Sequence, residues 1–354
     1  SHLILLFYEW AGKRCLGLPG ALLTMGCPAG WKILLYYGIL TAGLLRLYRE
    51  KYRERYFRGS EPFLPGKRVL AAAAAPLALC LCLLCTRVFR GLEIRMLDVG
   101  QGDAVYLRGP DGTTCLYDGG SSSVKNAGAY RILPFLKWSG TGQLDYILIS
   151  HMDRDHISGV QELLEDSKKS GGIRIGHVVL PKLSAKDEAY EEMEALIREA
   201  GIELLYMEAG DRLEGGAWSL TCLWPESGTG ADDRNELSMV VLAEYGDFQM
   251  LLTGDIGEKA EERLAASGRL CEAEILKVAH HGSKYSSTEI FLGQVQPAVS
   301  LISCSASNRY GHPGEETLER LRESGSRVFI TRDCGAVRVW TDGKYVRVSC
   351  FSGR

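Results

Sequence analysis

The sequence predicts an α/β chain: two β-sheets faced by helices, preceded by transmembrane helices. Three observations carry this. Composition changes sharply near residue 91, from long apolar runs to short ones. Beyond it, short runs rich in β-favouring residues alternate with stretches of helical period. The first of these runs pair as hairpins before strand–helix alternation begins, whereas a simple doubly wound sheet would open βαβ, and no GxGxxG is present.

The chain of 354 residues has room for one large domain and an accessory region. A net charge of -3 excludes a uniformly basic nucleic-acid coat, although it says nothing about a local basic groove. Of eleven cysteines, five lie in the N-terminal apolar stretch and six are scattered from Cys115 to Cys350. None of the six forms a CxxC pair, which argues against a thiolate zinc site.

Residues 1–90 are expected to belong to a membrane. "WKILLYYGILTAGLLRLY" (31–48) and "VLAAAAAPLALCLCLLCTRVF" (69–89) each approach the roughly 20 residues of a spanning helix. Pro76 is tolerated in such a helix more readily than in a soluble one. The stretch 46–68 between them holds eight Lys or Arg and three Glu, and short basic loops stay cytoplasmic. Residues 91–354 then lie outside the cytoplasm. "LILLFYEWAG" resembles the tail of an earlier span, and with no initiator Met and no signal peptide an upstream membrane region is expected to be missing.

In residues 91–354 the expected strands are 92–99, 104–109, 113–120, 146–151, 177–181, 219–225, 238–245, 248–255, 274–281, 298–304 and 336–341. Expected helices cover 157–168, 186–201, 256–268 and 314–325.

Metal-capable side chains recur where these strands end. His151, Asp153, Asp155 and His156 follow "YILIS", Asp255 follows "FQMLLTG", His280 and His281 follow "EILKVA", and His312 lies in "NRYGHPG". Ligands of α/β sheets gather at strand ends, so separate strands can aim these groups at one point. Six or seven nitrogen and oxygen ligands without cysteine suit two divalent ions about 3.5–4 Å apart, the arrangement of phosphodiester and other ester hydrolysis. Carboxylate in place of imidazole shifts preference from zinc towards manganese. Asp155 by itself could simply cap a helix starting near Ile157, but "TGD" and "AHHGS" favour the metal site. His177 is expected to be an ordinary strand-edge residue.

"SHMDRDHISG", "LLTGDIG" and "LKVAHHGSKYSS" resemble the metal-site motifs of the metallo-β-lactamase superfamily. "MLDVGQGDAVYL", "LYDGG", "NELSMVV" and "NRYGHP" narrow the resemblance to the C-terminal domain of the ComEC family, DNA-internalisation competence channels. The resemblance implies an αββα sandwich over residues 91–354, with residues 1–90 the last helices of the competence domain. It implies that His151 and Asp153 bind one ion and Asp155 and His156 a second, with Asp255 bridging. One of His280 and His281, with His281 favoured, completes the second site. Asp153 stands where the superfamily signature HxHxDH has its second His. The usual third His on the first ion has no counterpart between residues 157 and 254, and Asn235 is the nearest substitute.

Further expectations concern the rim. Gly100 and Gly102 allow a turn bringing Gln101 and Asp103 to the mouth of the site, and Asp118 is expected to orient a ligand. Ser283, Lys284 and Ser286 are suited to holding a phosphate. Asp155 and His312 are expected to act in the reaction, His312 by protonating a leaving oxygen. The expected function is an extracytoplasmic nuclease domain of a multi-pass membrane channel, using two divalent ions, Mn²⁺ or Zn²⁺. It would act on single- or double-stranded DNA beside DNA-uptake machinery proteins and degrade the strand not imported. The alternatives are a phosphodiesterase of the choline-phosphate type and a non-catalytic DNA-guiding domain.

Overall fold

The computed structural model describes residues 2–16, 22–58, 67–86, 89–230 and 233–351. The chain divides into two compact units, Ser1–Leu23 with Phe89–Leu136 and Gly142–Arg354, and Thr24–Val88 with Lys137–Thr141.

The helices before residue 90 are α1 (His2–Leu16), α2 (Gly30–Arg58) and α3 (Lys67–Cys85). In the smaller unit α2 and α3 are tied by Lys32 Nζ, which donates to the carbonyls of Leu83 (2.8 Å) and Thr86 (2.7 Å). Among the described residues no helix is long and apolar enough to cross a membrane. In α2 the expected apolar segment carries Lys32 and Arg46, and the helix runs on past residue 48 into "REKYRERYFR". Residues 59–66 of the expected cytoplasmic loop, and 87–88 of the second expected span, lie outside the described residues.

The larger unit contains β1 (Leu92–Met96), β2 (Val105–Arg108), β3 (Thr114–Tyr117), α4 (Leu133–Trp138, its last two residues in the smaller unit), β4 (Gln143–Leu148), α5 (Arg154–Ser167), β5 (Arg174–Pro181), α6 (Glu188–Glu199) and β6 (Glu203–Met207). It continues through β7 (Arg212–Gly215), β8 (Trp218–Trp224), β9 (Val240–Tyr245), β10 (Phe248–Leu252), α7 (Glu258–Ala266), β11 (Ile275–Lys277), α8 (Glu289–Val295) and β12 (Val299–Ile302). It ends with α9 (Glu315–Glu323), β13 (Arg327–Ile330), α10 (Thr331–Cys334), β14 (Val337–Thr341) and β15 (Val346–Cys350). One sheet has the order β15-β14-β1-β2-β3-β4-β5-β6 and the other β13-β12-β11-β10-β9-β8-β7.

Side-chain alternation builds the layers. Leu92, Ile94 and Met96 of β1 meet Phe248, Met250 and Leu252 of β10 in the core between the sheets. The opposite faces bury against helices: Leu144 and Ile147 of β4 against Val160 and Leu163 of α5 and Met193 of α6, and Leu251 and Leu276 against Leu264, Phe291 and Leu321 of α7, α8 and α9. Helix, sheet, sheet, helix is the result, with β3–β6 and β10–β13 each running parallel. In each parallel set, neighbouring strands end at one edge. Tyr117 Oη donates to Met239 O (2.6 Å) and Ser303 Oγ to Gly102 O (2.6 Å), which ties the two sheets together.

Candidate metal centre

"HMDRDH" straddles a strand end and a helix start. His151 follows β4, Asp153 is the residue before α5, and Asp155 and His156 lie in that helix's first turn. The helix thus begins three residues earlier than the periodicity suggested. Asp153 makes no side-chain capping bond there, and its carboxylate is turned to other partners. Asp255 occupies the turn after β10, its amide held by Ser238 Oγ (3.2 Å). His280 and His281 follow β11 with φ of 50° and 53°. Two consecutive non-glycine residues in the left-handed region cost about 1–3 kcal/mol each, the kind of strain found where side chains must be aimed.

The hydrogen-bond network fixes how three imidazoles face. Ser150 Oγ gives its one proton to Asp118 Oδ2 (2.8 Å), so it must accept from His151 Nδ1 at 3.0 Å. His156 Nδ1 donates to Asp118 Oδ2 (2.9 Å) and His281 Nδ1 to Ser303 O (3.0 Å). Each ring is therefore pinned by Nδ1, leaving Nε2 as the ligand atom. Asp118 acts as the orienting carboxylate, and Ser150 N also donates to its Oδ1 (2.7 Å).

The Nε2 atoms turn towards carboxylates. Asp255 Oδ2 is 3.2 Å from His156 Nε2, 3.5 Å from His281 Nε2 and 4.0 Å from His280 Nε2. His281 Nε2 is also 3.5 Å from Asp155 Oδ2, and His151 Nε2 is 3.7 Å from Asp153 Oδ2. The rings of His151 and His156 lie 4.1 Å apart. Asp255 is the group shared by His156, His281 and His280, and His280 is the more solvent-facing of the adjacent pair.

Asp103 does not lie at the mouth. It is fully buried, its oxygens 3.6 Å from His281 Nδ1 and 3.9 Å from His156 Nδ1, on the side away from the ligand atoms. Its counter-charge is Lys277, the last residue of β11, equally buried and in direct contact with Asp103 Oδ2. Lys277 was absent from the sequence expectations. The signal was a lysine inside the apolar run "ILKVA". Gln101 is buried too, accepting from Ser305 N through Oε1 (3.3 Å). Both residues are buried because the "DVGQGD" turn folds inward, and Asp103 lies beneath the centre.

Electrostatics follow from this packing. Burial works against charge at every group, but the opposite charges win at the centre. Burial opposes ionisation of Asp255, yet the charges of His156 and His281 hold its carboxyl well below the usual range. Burial would lower both rings, yet Asp255 with Asp118 lifts His156 well above an ordinary imidazole, and Asp255 with Asp103 pushes His281 up to about 10. His312 goes the other way: burial, then the charges of His281 and His280, push it down to about 4. His312 thus faces the centre as a neutral imidazole, an environment that disfavours the protonated form its expected acid role needs. Its ring centroid is 5.4 Å from that of His280 and 6.2 Å from that of His281.

Around the mouth the expectations separate. Asp153 accepts from Arg234 (2.9 Å), which also pairs with Asp187 (2.7 Å). These residues, with His151, Lys186 and Tyr190, line a half-open groove of about 700 Å³. Asn235 lies next to Arg234 on the turn Asn235–Leu237, its Oδ1 buried without a partner. Lys284 is exposed, but Ser283 and Ser286 are buried. The Ser286 hydroxyl is committed to the carbonyls of Ala279 (3.1 Å) and Ser283 (3.0 Å), so it braces the loop and is not free for a phosphate. His177 stacks on Tyr146 in a different part of the sheet, with 5.0 Å between centroids.

The residues fit a divalent cation. Ligand atoms of Asp103, His156, Asp255 and His281 lie within 4.8 Å of one another. The Nε2 atoms of His151, His156 and His281 and Oδ1 of Asp255 are buried without a hydrogen-bond partner. Buried polar atoms left so are rare unless something fills the space between them, and an N/O donor set is what divalent metals take. Because Asp103 faces the Nδ1 side and is paired with Lys277, the set that would hold metal is His151, Asp153, Asp155, His156, Asp255 and His281.

Several known proteins are similar to this chain in sequence. Over 259 residues the chain is 31% identical to ComE operon protein 3 of Bacillus subtilis, covering 70% of this chain and 32% of that protein. It is 31% identical over 288 residues to Recombination protein 2 of Haemophilus influenzae (79% and 33%), and 29% over 246 residues to Competence protein ComA of Neisseria gonorrhoeae (69% and 32%). The matched region thus spans about a third of the length of these relatives. The family model described as the metallo-beta-lactamase superfamily matches residues 97–306, from just after β1 to the loop before His312. The chain belongs to the metallo-β-lactamase superfamily.

Proposed function

We propose that residues 91–354 are an extracytoplasmic metal-dependent phosphodiester hydrolase, a nuclease that degrades the non-imported DNA strand beside a DNA-uptake channel. The observation that carries this is the convergence of the His156 and His281 ligand atoms on Asp255, with Asp155 beside His281 and the His151 ring against that of His156, every ring locked from behind. Two divalent ions bound there, Mn²⁺ ahead of Zn²⁺ because Asp153 and Asp155 harden the site, supply Lewis acidity and a nucleophile at neutral pH. The protein's own residues do the rest. Asp118, Ser150 and the Ser303 carbonyl hold the imidazoles rigid, Asp255 concentrates negative charge between them, and Lys277 neutralises Asp103 beneath. The names Recombination protein 2 and Competence protein ComA support DNA as the substrate and DNA-uptake proteins as partners.

The placement in a multi-pass cell membrane is supported by apolar side chains standing exposed on α1 and α2, among them Leu3, Phe7, Leu34 and Leu45. The test uses the full chain in detergent, stripped of metal and then titrated with Mn²⁺ and Zn²⁺, with labelled single- and double-stranded DNA and a phosphocholine ester as substrates. Metal-dependent DNA cleavage is expected. Cleavage of the ester alone would replace the nuclease with an esterase, and DNA binding without cleavage would leave a DNA-guiding domain.

A further inference from the structure

The two sides of the metal centre differ in what they offer a substrate. On the groove side every cation is already paired: Arg234 with Asp153 and Asp187, and Lys186 with Glu194 at 2.5 Å. On the other side stand Lys284 and Arg309, both exposed, and among the described residues neither makes an ion pair with a carboxylate. Beside each is an exposed aromatic ring. Tyr285 is 68% exposed with the Lys284 ammonium 5.1 Å from its centroid, and Tyr310 is 67% exposed and stacked on His312 at 5.6 Å. Of the carboxylates nearby, Glu315 is engaged with Arg322 (2.9 Å) and Asp333 with Arg332 (3.4 Å), while Glu316 lies beside Lys284 across Gly314 without an ion pair to it.

The two loops carrying these tyrosines are pinned. Arg320 donates to the carbonyls of Lys284 (3.0 Å), Ser286 (2.8 Å) and Ser287 (2.8 Å), and Thr317 Oγ1 to Ser283 O (2.7 Å). Gly314 N donates to Gly282 O (2.9 Å), so one loop holds the other. A side chain at Gly282, where φ is 81°, would begin 2.6 Å from Pro313 Cβ, so the loops can approach only because this residue is glycine. The Asn308 side chain clamps His312, donating to its carbonyl (2.7 Å) and accepting from its amide (2.8 Å). Exposed aromatic rings are thus held on a braced frame at the edge of a catalytic centre.

We propose that Tyr285 and Tyr310, with Lys284 and Arg309, form a stacking and phosphate-binding platform for single-stranded DNA, feeding unpaired nucleotides to the centre. This rests on the nuclease reading and adds to it how the strand is chosen. Bases within a duplex stack on one another and present no face to a tyrosine, whereas an unpaired strand offers one face per nucleotide. Cations between the rings then hold the connecting phosphates.

The test measures binding to the full chain under chelation, so that no cleavage intervenes, by fluorescence anisotropy. The probes are an oligothymidylate, an abasic sugar-phosphate oligomer of equal length, and a duplex. The parent is expected to favour the oligothymidylate over the abasic strand by about 100-fold, about 10-fold for each ring on which a base stacks. Tyr285→Ala and Tyr310→Ala should each remove about 10-fold of that preference, while Tyr285→Phe and Tyr310→Phe retain it. Lys284→Ala should weaken both single strands alike. Metal affinity of each variant checks that the centre is intact. Equal binding of thymidylate and abasic strands by the parent, or a full preference in both alanine variants, overturns the platform. If metal-dependent cleavage persists in that case, the nuclease stands without it. Absence of both binding and cleavage of any oligonucleotide overturns the two together.

Discussion

Loading the centre with metal should expel two protons. In the metal-free protein His156 lies well above an ordinary imidazole and His281 at about 10, because buried carboxylates surround both rings. At about pH 7.5 each ring is therefore doubly protonated, with Nδ1–H given to Asp118 or Ser303 and Nε2–H facing Asp255. A metal ion takes Nε2, so each ring must release that proton. Two imidazolium charges leave as the two dications arrive, which offsets about half of the positive charge brought to the buried carboxylates. His280 and His312 are held low and contribute none. Each proton released makes apparent affinity rise about 10-fold per pH unit, so two give about 100-fold. The sign is opposite for the metal-free protein. Rings with raised values stabilise the fold below the unfolded imidazole range and lose that contribution as pH rises towards about 10 for His281. Calorimetric titration of Mn²⁺ in buffers of different ionisation enthalpy counts the protons directly. Release of fewer than about half a proton per ion would mean that Nε2 of these rings does not receive the metal.

Three further outcomes follow from the same geometry. Lys277→Met should cost about 3–5 kcal/mol of stability, because it leaves Asp103 fully buried without its ammonium counter-charge, and pairing it with Asp103→Leu should recover most of the loss in urea unfolding. Asp118→Asn should keep the fold but lower metal affinity about 10–100-fold, since His156 and Ser150 lose the carboxylate that orients them. His177→Ala, in a residue stacked on Tyr146 and paired with Glu203 at 3.4 Å, should leave metal affinity and cleavage unchanged.

The features legible in the sequence were those that repeat locally. Period-two apolar runs located strands such as β1 and β10, and scarce His and Asp placed after such runs pointed to a strand-end site. Orientation across long sequence distances was not legible. Asp103 and Lys277 come from different sheets, and only folding shows that one neutralises the other. Gln101 and Asp103 looked like rim residues because glycines flank them, yet Ser303 Oγ captures the Gly102 carbonyl and draws that turn inside. Ser286 looked free for phosphate, but its hydroxyl serves the strained turn at His280 and His281. The strands absent from the sequence expectation, β6, β7, β13 and β15, are the four edge strands of the two sheets, and their incomplete burial leaves only a weak apolar signal. The length of α2 was misjudged for another reason: helical propensity does not stop where hydrophobicity does, and the basic residues after Tyr48 extend the helix.

The most direct measurement compares the parent chain with Asp255→Asn, recording bound metal and DNA cleavage on the same samples. Asp255 Oδ2 lies within 4.0 Å of the ligand atoms of three histidines, so a neutral amide there removes the charge that the centre shares. The parent should bind two Mn²⁺ and cleave labelled DNA. The variant should fold, lose at least one ion, and lose cleavage, because the nucleophile depends on moving a water pKa from about 15.7 towards 7. Cleavage by Asp255→Asn equal to that of the parent, at equal metal content, would contradict the assignment of hydrolysis to this centre.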